Sequence, residues 1–258
     1  MKIDCLMGTC GRFTPACESL ACFLQQSAIE DGTLLIYNQH PIPLKFNHPR
    51  VRVVNEPGRA GSLRHIRQRM LDLANPGADL IHWWEDDDLY LPWHLEDCLD
   101  RIKGHAAWKP FRSWYSSSRS DYDLCAHPFE GSWVFRADYV LKAPLSTHAH
   151  YIDHPAYTQT GQAGLLAITD LRASYIYRWY DGWSHVASFG GSNWPALQES
   201  TLAALAKGNT DVRQDGCLAP ANLTAVWRDF LAGIRPKVAA ADWEAYRDNL
   251  ERAAAHQY

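Results

Sequence analysis

Residues 81–88 read Ile81-His82-Trp83-Trp84-Glu85-Asp86-Asp87-Asp88, and this stretch decides the fold prediction. The apolar run predicts a buried strand, and the acidic residues begin where that strand ends. Ligands of open α/β sheets bind at the carboxyl ends of the strands. Adjacent carboxylates repel one another unless a cation lies between them, and Mg²⁺ and Mn²⁺ prefer oxygen ligands. We therefore predict that Asp86 and Asp88 hold a divalent metal ion; the alternative is a solvated acidic turn.

Apolar runs alternate with helical patterns throughout the first hundred residues. Further strands are predicted where short apolar runs end in polar turn residues, at 3–7, 33–37 and 51–54. Helical periodicity follows three residues that commonly begin helices, Pro15, Ser62 and Pro92. This alternation is typical of a parallel sheet with crossover helices. The predicted fold class is therefore α/β, a Rossmann-like, mostly parallel sheet flanked by helices, with residues 1–104 as its nucleotide-binding half.

The remaining chain changes character twice. Residues 105–194 alternate aromatic with β-branched side chains and contain one short helical pattern, at 137–141. From Pro195 onward Ala and Leu dominate, which predicts helices near 196–207, 220–233 and 241–255. We predict that residues 105–194 are the second, acceptor-binding half of the same domain. Residues 195–258 are predicted to form a helical C-terminal region.

Composition excludes several classes of protein. The 258 residues include 47% hydrophobic and 21% charged side chains, which is the usage of a globular protein and not of a disordered or collagenous chain. The formal net charge of −4 gives no overall attraction to nucleic acid or to an anionic membrane. No apolar stretch approaches the roughly 18 residues of a membrane span. The polar amino terminus does not resemble a signal peptide, and the odd number of cysteines favours reduced thiols, so we expect a cytoplasmic protein.

Four cysteines, Cys5, Cys10, Cys17 and Cys22, lie close together near the amino terminus. Structural zinc sites usually contain pairs spaced about two to four residues apart, which this group lacks. On a helix, Cys17 and Cys22 would also face different directions. We therefore expect packed thiols here, with a zinc site as the alternative.

Four motifs in the first hundred residues occur in a characteristic order. They are Thr9-Cys10-Gly11-Arg12, Ser19-Leu20 with Gln25-Gln26, Asn55-Glu56-Pro57-Gly58 with Ser62-Leu63-Arg64-His65, and Asp86-Asp87-Asp88 with Leu91-Pro92. In this order and spacing they resemble the GT-A-fold glycosyltransferases of the family 2 type, which transfer a sugar from a nucleotide-sugar donor. The resemblance covers residues 1–104 well and 125–190 loosely, and it implies a GT-A domain with a helical C-terminal extension.

The resemblance implies a role for several side chains. Mn²⁺ or Mg²⁺ held by Asp86 and Asp88 would bridge the diphosphate of the nucleotide sugar. Donor contacts are implied for Thr9, Arg12, Asn38, Arg64 and Asp86. The family usually has Asp-Asp-Gly-Ser after its second strand, whereas this chain reads Ile36-Tyr37-Asn38-Gln39-His40, so a uridine preference does not follow. The other arginines of residues 50–69 are expected on a solvated helix face.

The resemblance also implies a general base. In family 2 enzymes this is an acidic residue about two dozen positions before a Tyr-Arg-containing strand, and Asp153 lies 24 positions before Tyr177 of the segment 175–179. A carboxylate is needed there to deprotonate the acceptor hydroxyl. His185 is predicted as the third metal ligand, with a structural histidine as the alternative. Competing candidates for the base are Glu130, Asp170 and Asp181.

These observations predict a metal-dependent, inverting glycosyltransferase that moves a sugar from a nucleotide-diphosphate donor to an acceptor hydroxyl. A saccharide or glycoconjugate acceptor is favoured. The alternative acceptor is a hydroxymethylated base of DNA, because the segment 108–119 interleaves aromatic and basic side chains that suit a flipped base and its phosphates. Alternatives of another class are a nucleotidyltransferase and a non-catalytic carbohydrate-binding module.

Overall fold

The computed structural model describes residues 1–10, 12–58, 63–126, 129–142, 166–169, 172–179 and 215–255. The strands within these ranges are β1 Ile3–Thr9, β2 Gly32–Asn38, β3 Val51–Asn55, β4 Leu80–Trp83, β5 Leu89–Tyr90, β6 Ala107–Pro110, β7 Ser113–Ser118, β8 Asp121–Cys125, β9 Val134–Arg136, β10 Leu166–Thr169 and β11 Tyr175–Arg178. The α-helices in the same ranges are α1 Phe13–Leu24, α2 Leu63–Leu73, α3 His94–Arg101, α4 Ala137–Val140, α5 Thr224–Ile234 and α6 Ala240–Ala255.

The larger of two sheets has the strand order β10-β6-β9-β4-β1-β2-β3 among the described residues. Strand β1 pairs in parallel with both β2 and β4, and β2 pairs in parallel with β3. Strand β9 runs antiparallel between β4 and β6. The prediction of an α/β fold with a mostly parallel sheet is therefore confirmed, and β4 lies near the middle of that sheet.

Helices cover both faces of the larger sheet, and its central strands are mostly apolar. On one face, Cys5 and Met7 of β1 belong to a core that includes Phe23 of α1 and Leu95 of α3. On the other face, Leu6 belongs to a core that includes residues of α2 and α4. Successive side chains of a strand point to opposite faces, so each strand of this half contributes to both cores.

The smaller sheet has the order β5-β11-β7-β8. Strand β11 runs antiparallel to β5 and parallel to β7. Helices α5 and α6 pack against this sheet: the ring of Phe230 meets those of Trp114 and Tyr122 edge to face, with centroids 5.7 and 5.1 Å apart. The Tyr246 hydroxyl accepts a 3.3 Å hydrogen bond from the indole N–H of Trp114.

The C-terminal helices predicted at 220–233 and 241–255 correspond to α5 and α6. The helix predicted at 196–207 lies outside the described residues, and the domain boundaries after 104 and 194 remain predictions. Among the described helices, none has the length and apolar character needed to cross a membrane.

Candidate functional site

The acidic turn that follows β4 is buried at the carboxyl edge of the larger sheet. Asp86, Asp87 and Asp88 are 0%, 8% and 1% exposed. Two hydrogen bonds fix the turn: the Ser19 hydroxyl donates to the carbonyl oxygen of Glu85 at 2.7 Å, and the Glu85 N–H donates to the Tyr90 hydroxyl at 2.8 Å. The carboxylates are therefore held in place by α1 and β5, and the turn is not the solvated one that the alternative interpretation required.

Arg12 brings a positive charge to this turn from the end of β1. Its Nε donates to Oδ2 of Asp86 at 3.2 Å, and its terminal nitrogens form ion pairs with Asp86 and Asp87. Burial raises the pKa of Asp86 to about 7, although Arg12 and a hydrogen bond from Thr9 oppose the shift. Of the predicted donor-binding residues, the structure thus brings Thr9, Arg12 and Asp86 together.

Asp88 is held from the opposite side by β11. Its carboxylate accepts a hydrogen bond from the Tyr175 hydroxyl and a 2.8 Å hydrogen bond from the main-chain N–H of Arg178. The Arg178 side chain donates to the carbonyl oxygen of Asp87 at 2.5 Å and forms a buried ion pair with Glu18 of α1. Sequence reasoning identified the strand at 175–178 but not these contacts. The sequence signal that could have revealed these contacts is Glu18, an acidic residue within the otherwise apolar pattern of α1.

The chemistry of this turn fits a hard divalent cation. Four successive carboxylates, Glu85 to Asp88, supply oxygen ligands of the kind that Mn²⁺ and Mg²⁺ prefer. The Arg12 guanidinium already lies between two of them as a cation. Burial and the neighbouring charge of Asp87 raise the pKa of Asp88, so a further positive charge would stabilise its ionised form. The assignment of such an ion to Asp86 and Asp88 stays a prediction, because the oxygens of these two carboxylates accept hydrogen bonds from Arg12, Tyr175 and the main chain of Arg178.

Arg67 was expected on a solvated helix face, and this expectation is wrong. The side chain is buried, pairs with Glu85 at 2.6 Å and lies over the Trp83 ring at 4.4 Å from its centroid. Arg67 precedes the buried residues Met70 and Leu71 by three and four positions, so it belongs to the apolar stripe of α2. Arg64 lies in the first turn of the same helix, and its side chain is outside the described part of the structure.

Asn38, predicted to contact the donor base, is fully buried at the end of β2. Its amide nitrogen donates to the carbonyl oxygen of Ile42 at 3.0 Å and to Oδ1 of Asn55 at 2.8 Å. Its Oδ1 accepts the main-chain N–H of His40 at 2.9 Å. The structure therefore uses this side chain to shape the loop that follows β2, and donor contact stays a prediction.

Partly exposed aromatic rings lie beside the acidic turn. The Tyr177 ring stacks on Phe129 at a centroid distance of 4.2 Å and on Tyr115 at 6.1 Å, and Trp179 lies 6.2 Å away at a tilt. Burial, followed by the charges of Asp88, Asp87 and Glu85, raises the pKa of Tyr177, so this ring faces the carboxylates. We call Tyr115, Phe129, Tyr177 and Trp179 the aromatic strip.

Several predicted residues lie outside the described part of the chain. These include the predicted base Asp153 and the predicted metal ligand His185. Among the competing acids, Asp170 and Asp181 also lie outside it, and Glu130 lies in a 3₁₀ turn without a described side chain. The structure thus assembles one side of the predicted site, from Thr9, Arg12, Asp86 and Asp88.

No protein-family model matches this sequence, and no curated protein matches it either. Solved structures do match. The TarS 1–349 fragment of S. aureus in complex with UDP-GlcNAc aligns over 98% of this chain and 82% of its own, with 12% identity and a TM-score of 0.55. The glucosyl-3-phosphoglycerate synthase of Mycobacterium tuberculosis, in complex with Mn²⁺, UDP and phosphoglyceric acid, aligns over 80% of this chain and 78% of its own, with 14% identity and a TM-score of 0.50. The likeness shows the fold: this chain has the GT-A fold, as the resemblance implied.

Proposed function

We propose that this protein is a metal-dependent glycosyltransferase that moves a sugar from a nucleotide-diphosphate donor to an acceptor hydroxyl, with inversion at the anomeric carbon. One observation carries the proposal: Asp86 and Asp88 are buried at the carboxyl edge of a GT-A sheet, and Arg12 forms an ion pair with Asp86. Two proteins of similar fold support it, since one was solved with UDP-GlcNAc and the other with Mn²⁺ and UDP.

On the donor side, the chain must hold a diphosphate that gains negative charge as it departs. Asp86 and Asp88, with His185 as a third ligand, would hold Mn²⁺ or Mg²⁺, which neutralises that charge when it is bound. Arg12 lies at the same edge as a second fixed cation. Arg64 is proposed to contact the donor phosphates from α2, and Asn38 to contact the base if the loop after β2 rearranges.

On the acceptor side, a carboxylate must take the proton of the attacking hydroxyl. We assign this role to Asp153, following the resemblance to family 2 enzymes. The bond from the acceptor oxygen to the anomeric carbon forms as the bond from that carbon to the diphosphate breaks. The hydroxyl proton passes to the Asp153 carboxylate, and the leaving diphosphate keeps the electron pair of the broken bond.

A saccharide or glycoconjugate is the acceptor class that we favour. The aromatic strip lies beside Asp88 and offers flat apolar faces with polar edges, which suit a sugar ring. The alternative of a modified DNA base depended on aromatic side chains in the segment 108–119. Two of these, Trp108 and Trp114, are fully buried and cannot stack on a flipped base.

The experiment is a thermal-shift screen of nucleoside diphosphates with and without Mn²⁺, followed by donor turnover assays. Specific binding raises the Tm by mass action, so the nucleoside diphosphate with the correct base should give the largest increase in Tm, and that increase should require Mn²⁺. The Asp88→Asn variant should lose turnover by on the order of 10²-fold or more. The matched control is Asp100→Asn, an exposed acid on α3, which should keep wild-type turnover.

Three results would contradict the proposal. Turnover that survives EDTA, or an undiminished Asp88→Asn variant, would exclude the metal-dependent mechanism. Release of pyrophosphate from a nucleoside triphosphate and a sugar phosphate would indicate a nucleotidyltransferase. Sugar binding without any affinity for nucleoside diphosphates would indicate a carbohydrate-binding module.

A further inference from the structure

A second group of metal-ligand side chains lies inside the protein, under the carboxyl edge of the sheet. His82, His94 and Cys98 are each fully buried. Their ligand atoms all lie within 4.8 Å of one another. The two Nε2 atoms are 2.8 Å apart, and Cys98 Sγ is 3.8 Å from His94 Nε2. The group is separate from the acidic turn in both position and chemistry, because it offers nitrogen and sulfur and the turn offers oxygen.

The fold explains why these side chains meet. His94 and Cys98 are four positions apart on α3, so both project from the same face of the helix. On β4, Ile81 and Trp83 point into the core shared with α2, so His82 between them points to the side covered by α3.

A second cysteine lies next to His82. Cys5 of β1 is its register partner across the parallel pair β1–β4, and it belongs to the core on the α3 side of the sheet. Cys5 is fully buried, but its Sγ does not belong to the group of ligand atoms that lie within 4.8 Å of one another, so metal binding requires this side chain to move towards them. With that shift the four side chains would make a Cys₂His₂ set.

We propose that Cys5, His82, His94 and Cys98 bind one zinc ion in a tetrahedral structural site. Tetrahedral zinc with bonds of about 2.1 Å to nitrogen and 2.3 Å to sulfur places its ligand atoms about 3.3–3.8 Å apart. The sulfur–nitrogen distance of 3.8 Å already falls in that range, and the two imidazoles need to separate by about 0.5 Å.

The charges also favour zinc at this place. Two thiolates cancel the charge of Zn²⁺, so the buried complex is neutral and avoids the large cost of an unpaired internal charge. Binding releases the two thiol protons.

The surroundings of His94 suit a metal ligand. Its Nδ1 lies 2.8 Å from the Ser174 hydroxyl, which in turn hydrogen-bonds the Asp97 carboxylate. With the Ser174 hydroxyl donating to Asp97, the tautomer that completes this chain has Nδ1–H donating to the hydroxyl oxygen, which leaves the Nε2 lone pair for the metal. Zinc-bound histidines commonly have such a partner on the other ring nitrogen.

The proposed site is tested first by its metal content. The full-length protein is purified without chelators, and the zinc bound per chain is measured by inductively coupled plasma mass spectrometry. We expect about one zinc per chain. Protein unfolded with EDTA and reductant and then refolded with Co²⁺ should show thiolate-to-cobalt charge-transfer absorption that saturates at about one equivalent. Mn²⁺ or Co²⁺ at the acidic turn gives no such band, so the result is independent of the proposed glycosyl transfer.

Variants identify the ligands. Cys5→Ser and Cys98→Ser should each reduce the charge-transfer band to about half, because one thiolate remains in each variant, whereas Cys22→Ser, which removes a buried thiol of α1, should keep the full band. Ser174→Ala keeps all four ligands and should weaken zinc retention about 10–100-fold. If a cysteine variant fails to fold, the zinc content and cobalt spectrum of the wild-type protein decide the question. Protein that holds well under one zinc per chain and lacks the cobalt band overturns the site, and a band of undiminished intensity in Cys5→Ser overturns the assignment of Cys5 as a ligand.

Discussion

The main-chain N–H of Arg178 donates a 2.8 Å hydrogen bond to Oδ1 of Asp88, although 90 positions separate the two residues in the chain. The guanidinium of the same arginine reaches the carbonyl oxygen of Asp87 and the carboxylate of Glu18. Arg178 therefore joins β11, the acidic turn and α1. The contact with Asp88 is made by the main chain, so a substitution of the Arg178 side chain leaves that hydrogen bond possible. Such a substitution tests the ion pair with Glu18 and the contact with Asp87.

The Arg178→Met substitution should lower the free energy of unfolding by about 3–5 kcal/mol, because it leaves the Glu18 carboxylate buried without its partner. The double variant Arg178→Met/Glu18→Gln should recover part of this loss, since the uncompensated charge is gone. Urea unfolding measures both. The matched control is Arg136→Met, which breaks an exposed pair with Asp138 and should cost less than about 1 kcal/mol. A single variant as stable as wild type would contradict the buried pair.

The pH dependence of stability should reveal the buried Asp86. Its pKa in the folded protein is raised to about 7 from the ordinary value of 3.8, so the folded state holds the proton more tightly than the unfolded state. Between about pH 4 and pH 7 the contribution of Asp86 to stability therefore falls as pH rises. The Asp86→Asn variant lacks this contribution. In EDTA, the free energy of unfolding of the variant minus that of wild type should therefore increase as the pH rises from about 4 to about 7. Parallel pH profiles for the two proteins would show that Asp86 titrates normally.

Gly131 packs directly under the acidic turn, and a side chain there should disturb it. A Cβ atom at this position would lie 2.6 Å from the Tyr175 hydroxyl and 2.8 Å from Cγ of Glu85. We expect Gly131→Ala to cost about 1–3 kcal/mol of stability through overpacking and to reduce donor turnover. Gly77→Ala is the control, because a Cβ there makes an ordinary contact 3.5 Å from Asn75 Oδ1. Equal Tm values for the two variants would rule out tight packing at Gly131.

Asn38→Ala should destabilise the loop that follows β2. It removes the partner of the His40 N–H and one of the two donors to Asn55 Oδ1, and loss of the partner of a buried group costs about 1–3 kcal/mol. The control Asn249→Ala removes two hydrogen bonds within α6, one to the Ala245 carbonyl oxygen and one from Arg252, and should cost less than about 0.5 kcal/mol. Unfolding curves measure the stability of both. An Asn38→Ala variant with wild-type stability and lost nucleotide binding would instead indicate direct contact with the donor base.

The first half of the fold could be predicted because its signals are local. Buried parallel strands are continuous apolar runs, and each is followed within the chain by the helix that covers it. The same reasoning placed Asp86 and Asp88 at the carboxyl edge of the sheet. The role of Arg12 came from the family resemblance, and its ion pairs with Asp86 and Asp87 were not predicted.

The smaller sheet could not be predicted in the same way. Strand β5 is two residues long, and its pairing with β11 joins positions more than eighty apart, which no local pattern encodes. Trp108 and Trp114 belong to the segment considered for stacking on a flipped base, because aromatic and basic side chains interleave there. The core that buries Trp114 is contributed by helices α5 and α6, over a hundred positions later. Arg67 was misassigned because charge was given more weight than its place on the apolar stripe.

The ion pair between Glu18 and Arg178 spans 160 positions, and this fixes an order of events during biosynthesis. A chain emerging from the ribosome has completed β1 to β4 long before β11 exists. Domains of this kind gain their non-local contacts last. Until then the acidic turn has solvent in place of Tyr175 and Arg178, and its charges keep the open sheet edge hydrated. The acidic edge of the proposed enzyme therefore closes only after β11 has been synthesised, and a chain cut before residue 175 would carry its acids without the strand that buries them.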